Sequence, residues 1–125
     1  MYKTLNDAAD NEGVTCSRRY AAPIEGEGSI EIWYAKDPSF TDDGVFVPNG
    51  SHIKVGEVAY QNWRILYGPM QGDNWSPKGE ARSLIAGLGL HHTSMSTGDI
   101  FAINHPDGRR EVQQLTDTGH RLIAD

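Results

Sequence analysis

Ile100-Phe101-Ala102-Ile103-Asn104 is followed by His105-Pro106-Asp107-Gly108, then Arg109-Arg110-Glu111-Val112-Gln113-Gln114-Leu115, then Asp117-Thr118-Gly119. The first run is a short apolar strand with β-branched and aromatic residues. The tetrad after it is a turn: Pro106 presets one backbone dihedral and Gly108 supplies a positive φ. Residues 109–115 return as the partner strand, residues 117–119 turn again, and residues 121–124 add a third strand. The C-terminal third therefore reads as a β-meander.

Working outward, Gly98-Asp99 reads as a tight turn that launches the first of these strands. Ser94 and Ser96 carry hydroxyls able to bond nearby backbone. The strongest helical pattern lies upstream, over residues 77–88. Ser76 is a cap, Pro77 suits the first helical position, and Gly89 is a left-handed stop. Ala81, Leu84, Ile85 and Leu88 recur at i, i+3, i+4 and i+7. Gly79 and Gly87 weaken the helix by about 1 kcal/mol each relative to Ala. Trp63, Leu66, Tyr67 and Met70 share the helical spacing, but Gly68-Pro69 interrupts it, which predicts a short helix ending near Tyr67. Residues 52–60 read as a strand, with Ile53, Val55 and Val58 on its buried face and Gly56 at a bulge. Residues 29–35 read as another strand, ended by Asp37-Pro38. Between them lies a loop with a short edge strand at Val45-Phe46-Val47. Residues 1–28 read as an irregular arm, with one short strand over 14–20. The expected fold is α+β: one domain over residues 29–125, with a small, twisted, mostly antiparallel sheet and one main helix over 77–88 packed on it.

A chain of 125 residues suits one domain rather than two. Its 38% hydrophobic and 22% charged residues mark a globular rather than a disordered chain. One Cys excludes an internal disulfide framework and a Cys-based zinc site. No apolar run approaches the ~18 residues of a membrane helix. No basic-then-apolar leader opens the sequence. The expected compartment is the cytoplasm. The formal charge of −6 is uneven, with ten acids against five Lys and Arg in residues 1–62 and seven against six in residues 63–125. The only paired bases, Arg18-Arg19 and Arg109-Arg110, are too few for a duplex-binding patch. An acidic surface suits a basic partner, and moderate acidity also keeps small proteins soluble.

Candidate chemistry is sparse. His91 and His92 are adjacent, so in a strand they point to opposite faces. His91, Asp99 and His105 converge only through tertiary folding, and no His-x-x-x-His spacing exists. The histidines read as solvent-facing or turn residues, with no metal and no other cofactor. Cys16 lies near Arg18 and Arg19, which favour its thiolate. A nucleophile also needs a positioned His and an orienting group, which the spacing does not supply. The pairs Asp42-Asp43 and Glu25/Glu27 read as loop acids. Trp33, Tyr34, Tyr60, Trp63 and Tyr67 match buried faces. Trp75, in a polar loop, reads as the exposed aromatic, suited to anchor a protein or stack on a base.

The segment Thr93-Ser94-Met95-Ser96-Thr97-Gly98-Asp99-Ile100 resembles a signature of small phage- and plasmid-borne proteins. In those a Ser-Met/Leu-Ser-Val-Gly-Asp-Val/Ile motif follows a helical region with a Trp, and a β-ribbon closes the chain. The order of elements is similar over residues 30–124, with Thr97 where the family usually has Val. A similar Gly-Asp turn opens a strand in RNA-associated PUA-like and ASCH-like barrels, so Ser94, Ser96, Gly98 and Asp99 read as a structural motif. The resemblance implies an accessory protein rather than a housekeeping enzyme. The expected function is non-enzymatic: stoichiometric binding of a host protein, a defence or replication factor, by a protein of a mobile genetic element. Asp42, Asp43, Trp75, Arg109 and Arg110 are the expected partner-binding residues. One alternative is a PUA- or ASCH-like nucleic-acid-binding module using Trp75, Arg82, Arg109 and Arg110. Another is a small metal-dependent hydrolase built on His91, His92 and Asp99. The oligomeric state stays open.

Overall fold

Ser29–Ala35 alternates Ile30, Ile32 and Tyr34 with Ser29, Glu31, Trp33 and Ala35, and all seven residues are buried. A strand buried on both faces belongs in the middle of a sheet with cover on each side. In the computed structural model, which describes residues 23–36, 44–66, 86–90 and 95–124, this strand is β1. The others are β2 (His52–Ala59), β3 (Ile100–Asn104), β4 (Arg110–Thr116) and β5 (Gly119–Ala124). They form one sheet in the order β2-β1-β3-β4-β5, with every neighbouring pair antiparallel.

One face carries the larger core. Ile30, Ile32 and Tyr34 pack there with Phe101, Ile103, Val55, Val58 and Leu115. The opposite face carries a smaller cluster of Trp33, Ile100, Ala102 and Val112, closed by Phe46 and Ile123. The expected bulge at Gly56 is where the register slips: Ile32 opposes Gly56 and Trp33 opposes Lys54. The extra residue, Val55, supplies the apolar contact that Gly56 lacks, so Val55 and Val58 both reach the larger core.

The expected α+β class is overturned. The described residues are essentially all-β: a five-stranded antiparallel sheet and no α-helix to pack on it. Residues 77–85 of the expected helix lie outside the described residues. Beyond them only a closing turn is described, in which Gly89 N–H donates to the Ala86 carbonyl at 3.0 Å and Gly89 takes a φ of 76°. Helical periodicity measures local amphipathicity and cannot say which element covers the sheet. Here Trp63 and Leu66 from the 3₁₀ turn Trp63–Leu66 cover it, with Leu88, Leu90 and Met95. That turn stands where a short helix was expected. The expected edge strand at Val45–Val47 does not form either. The Val47 carbonyl instead accepts Gly50 and Ser51 N–H at 2.8 and 2.9 Å, winding the backbone into a turn.

The segment before β1 is fixed by a close approach. Gly28 has a φ of 81°, and a Cβ there would collide with the Asn104 carbonyl. Only glycine meets both conditions. Residues 1–22 of the expected arm lie outside the described residues.

Candidate functional site

The Ser-Thr-Gly-Asp turn ends as a buried latch. Asp99 is fully buried. Its Oδ1 accepts Ala35 N–H at 2.8 Å and its Oδ2 accepts Ser96 N–H at 2.9 Å. One carboxylate thus closes the turn and ties it to the end of β1. Gly98 sits at φ 95°, and its carbonyl accepts His52 Nε2–H at 2.6 Å and Gln114 Nε2–H at 3.3 Å. His52 is itself buried, with Ser51 Oγ 2.7 Å from Nδ1. It is not the solvent-facing histidine its polar context suggested. The hydrolase reading needs Asp99 at a surface, and the latch holds it inside.

A second carboxylate organises the smaller-core face. Glu31 Oε2 accepts Arg110 at 2.6 Å and Asn104 Nδ2–H at 2.7 Å, and Oε1 accepts Trp33 Nε1–H at 2.9 Å. Burial pushes this carboxyl up, but the hydrogen bonds from Arg110, Asn104 and Trp33 outweigh it and hold the group below the ordinary glutamate value.

A third cluster closes the end of the sheet. His105 lies between Tyr60, whose hydroxyl is 2.7 Å from Nδ1, and Glu111, whose Oε1 is 2.8 Å from Nε2. Gln113 donates to Glu111 Oε2 at 2.6 Å and Arg109 stands 4.0 Å from Oε1. Glu111 is accordingly held below its ordinary value, by Gln113 first, against an opposing effect of burial, and then by His105. Arg109 and Arg110 therefore do not form a joint patch. Arg109, just before β4, stands toward Glu111, and Arg110, the first residue of β4, pairs with Glu31 on the opposite face.

Among the described residues an open sheet edge lies at the β5 side. β5 is the outermost strand, exposed along nearly its whole length, and Leu122 on it is 51% exposed. The other edge, β2, is guarded by the Lys54–Glu57 pair at 2.6 Å and by its bulge. Natural sheets protect their edges with charges and bulges of this kind. β5 has one bulge, at Ile123, whose side chain packs against the smaller core. Beside β5 runs a groove of 340 Å³, floored by Trp63, Phe101 and Leu115 and rimmed by Arg64, Asp117 and His120.

No known family, curated protein or solved structure matches the chain.

The site must therefore be judged on its geometry. Of the expected binding residues, Asp42, Asp43 and Trp75 lie outside the described residues, as do Ser94, Arg82, His91, His92 and Cys16. Among the described residues no group of three or more His, Cys, Asp or Glu is placed to hold a metal ion, and no helix is long and apolar enough to cross a membrane. Leu122, His120 and Arg64 were not singled out by sequence. The available signal was positional: the last strand of a meander has only one sequential neighbour, so it tends to an edge.

Proposed function

We propose that the chain is a non-enzymatic cytoplasmic accessory protein of a mobile genetic element that acts by stoichiometric binding to a host protein. The partner adds an extended segment to the β5 edge as a sixth strand. The observation that carries this reading is β5 itself, an exposed outer strand with an apolar side chain at Leu122. Strand addition takes its affinity from main-chain hydrogen bonds and its specificity from alternate side chains. Arg121 beside Leu122 favours a segment that is apolar opposite Leu122 and acidic next to it. On the other face of the sheet Val45, 47% exposed, lies beside the same edge: its carbonyl accepts Gln114 Nε2–H at 3.3 Å, and neighbouring Gly44 lies near Arg121 and Ile123. The mobile-element origin rests on the resemblance of residues 94–100. Asp99, Glu31 and Glu111 serve as structural groups, with their oxygens taken by hydrogen bonds within the fold.

Affinity capture from host lysate with nuclease present tests the reading, using the wild-type chain and Leu122→Lys. The expected result is one stoichiometric protein that survives nuclease and falls about tenfold or more with Leu122→Lys, a loss of about 1.4 kcal/mol or greater. Lys54→Ala on the opposite edge should capture it undiminished. Capture that vanishes with nuclease contradicts the reading. So does a self-associated dimer that Leu122→Lys dissolves, since a second copy would then occupy the edge.

A further inference from the structure

Among the described residues the carboxylate clusters are closed, although Gln113 Oε1 beside Glu111 is buried without a partner. Glu31, Asp99 and Glu111 each have donors on both oxygens, and His105 has partners on both ring nitrogens. At the groove beside β5 the pattern reverses. The Arg64 guanidinium lies 5.0 Å from the centre of the Trp63 ring, and among the described residues no carboxylate pairs with it. His120 meets the Trp63 ring edge-on at 4.7 Å and neither ring nitrogen has a hydrogen-bond partner among the described residues. Asp117 Oδ1 accepts Thr97 Oγ1–H at 3.1 Å, and Oδ2 has no donor among them. Three open polar groups thus converge over an apolar floor of Trp63, Phe101 and Leu115. A concave apolar site with a few convergent polar groups is the general form of a small-ligand pocket.

The chemistry of the rim defines the ligand. Arg64 and His120 offer donors, and Arg64 a fixed positive charge, to an anionic group. Asp117 offers an acceptor to an N–H or O–H. The floor shows a small apolar area, Trp63 being 9% exposed and Leu115 6%, which suits the edge of a flat ring. A volume of 340 Å³ stands at the lower end of the range for ligand sites, about 300–1,000 Å³, which suits one ring system with one anionic substituent. We propose that the groove binds a nucleotide unit. The base sets an edge on the narrow apolar strip at Leu115 and Trp63, the phosphate meets Arg64 and His120, and Asp117 accepts from a base N–H or a ribose O–H. The unit is either a free mononucleotide or the 5′-phosphorylated end of a single strand. This site uses none of the arginines expected from sequence to contact nucleic acid, and it stands independently of the docking proposed at Leu122.

The test is an NMR titration of the full chain, following the Trp63 indole N–H and the His120 ring protons. The probes are the four ribonucleoside 5′-monophosphates, the matching nucleosides, inorganic phosphate and a 5′-phosphorylated oligothymidylate. The expected result is a saturable shift with at least one nucleotide at Kd of about 1 mM or tighter, weakened about tenfold when the phosphate is removed. Arg64→Gln and His120→Ala, both at exposed positions, should each weaken binding about tenfold with unchanged melting temperature. Tighter binding of the oligonucleotide supports the proposal and names a strand end as the source. No saturable shift with any nucleotide or with the oligonucleotide overturns it. So does binding of inorganic phosphate as tight as that of the nucleotides, or undiminished affinity in Arg64→Gln.

Discussion

Asp99→Ala is expected to lower the unfolding free energy by about 3 kcal/mol. The carboxylate is fully buried and accepts the N–H groups of Ala35 and Ser96, at 2.8 and 2.9 Å. Removing it strands two buried backbone donors, each costing about 1–3 kcal/mol. It also frees the turn whose Gly98 carbonyl anchors His52 and Gln114. Against a typical domain stability of about 5–15 kcal/mol, that loss is a large fraction. Urea unfolding should show a lower midpoint with an unchanged slope. Asp99→Asn should lose less, because its carbonyl oxygen still serves Ala35 while its amide opposes the Ser96 N–H. A loss below about 1 kcal/mol in the Ala variant would mean that the turn holds without its carboxylate.

Glu31→Ala is expected to cost about 2–3 kcal/mol. The loss comes chiefly from the buried Trp33 indole N–H and the Asn104 amide, because Arg110 is 42% exposed and solvent screens its ion pair. The same network sets an acid limit. The folded state holds the Glu31 carboxyl below its unfolded value, so its contribution is fully present above the ordinary glutamate range. It is lost as pH falls through the lower, folded value. Glu111 adds to stability in the same direction. Unfolding followed from neutral to acid pH should show wild-type stability declining, with Glu31→Gln declining less steeply. Parallel profiles would remove Glu31 from the acid response.

Much of the sheet could be read residue by residue. Ser29–Ala35 and Ile100–Asn104 announce themselves by β-branched and aromatic content, and His105–Gly108 by turn chemistry. The bulge could be read from Gly56 because a glycine interrupts an alternating pattern there. The all-β character of the described residues could not. Ala81, Leu84, Ile85 and Leu88 carry a helical period, but the cover seen over the sheet comes from Trp63, Leu66, Leu90 and Met95, scattered over three segments with no shared period. The candidate site was harder still. Arg109 and Arg110 are neighbours in sequence and opposites in space, each committed to a different carboxylate. Asp117 and His120 flank one tight turn, but Arg64 is more than fifty residues away and meets them only because the 3₁₀ turn lies against the sheet beside β5. Pairing across strands is a property of register, and a single sequence carries no direct record of it.

Amide hydrogen exchange on the chain, alone and with its captured host protein, tests the central claim most directly. Docking by strand addition should slow exchange at outward-facing amides of Gly119–Ala124, because each gains a main-chain acceptor. Amides of β2 should be unchanged. Protection confined to β2 or to the Gly44–Pro48 segment, with β5 exchanging as in the free protein, would contradict the account and place the partner elsewhere.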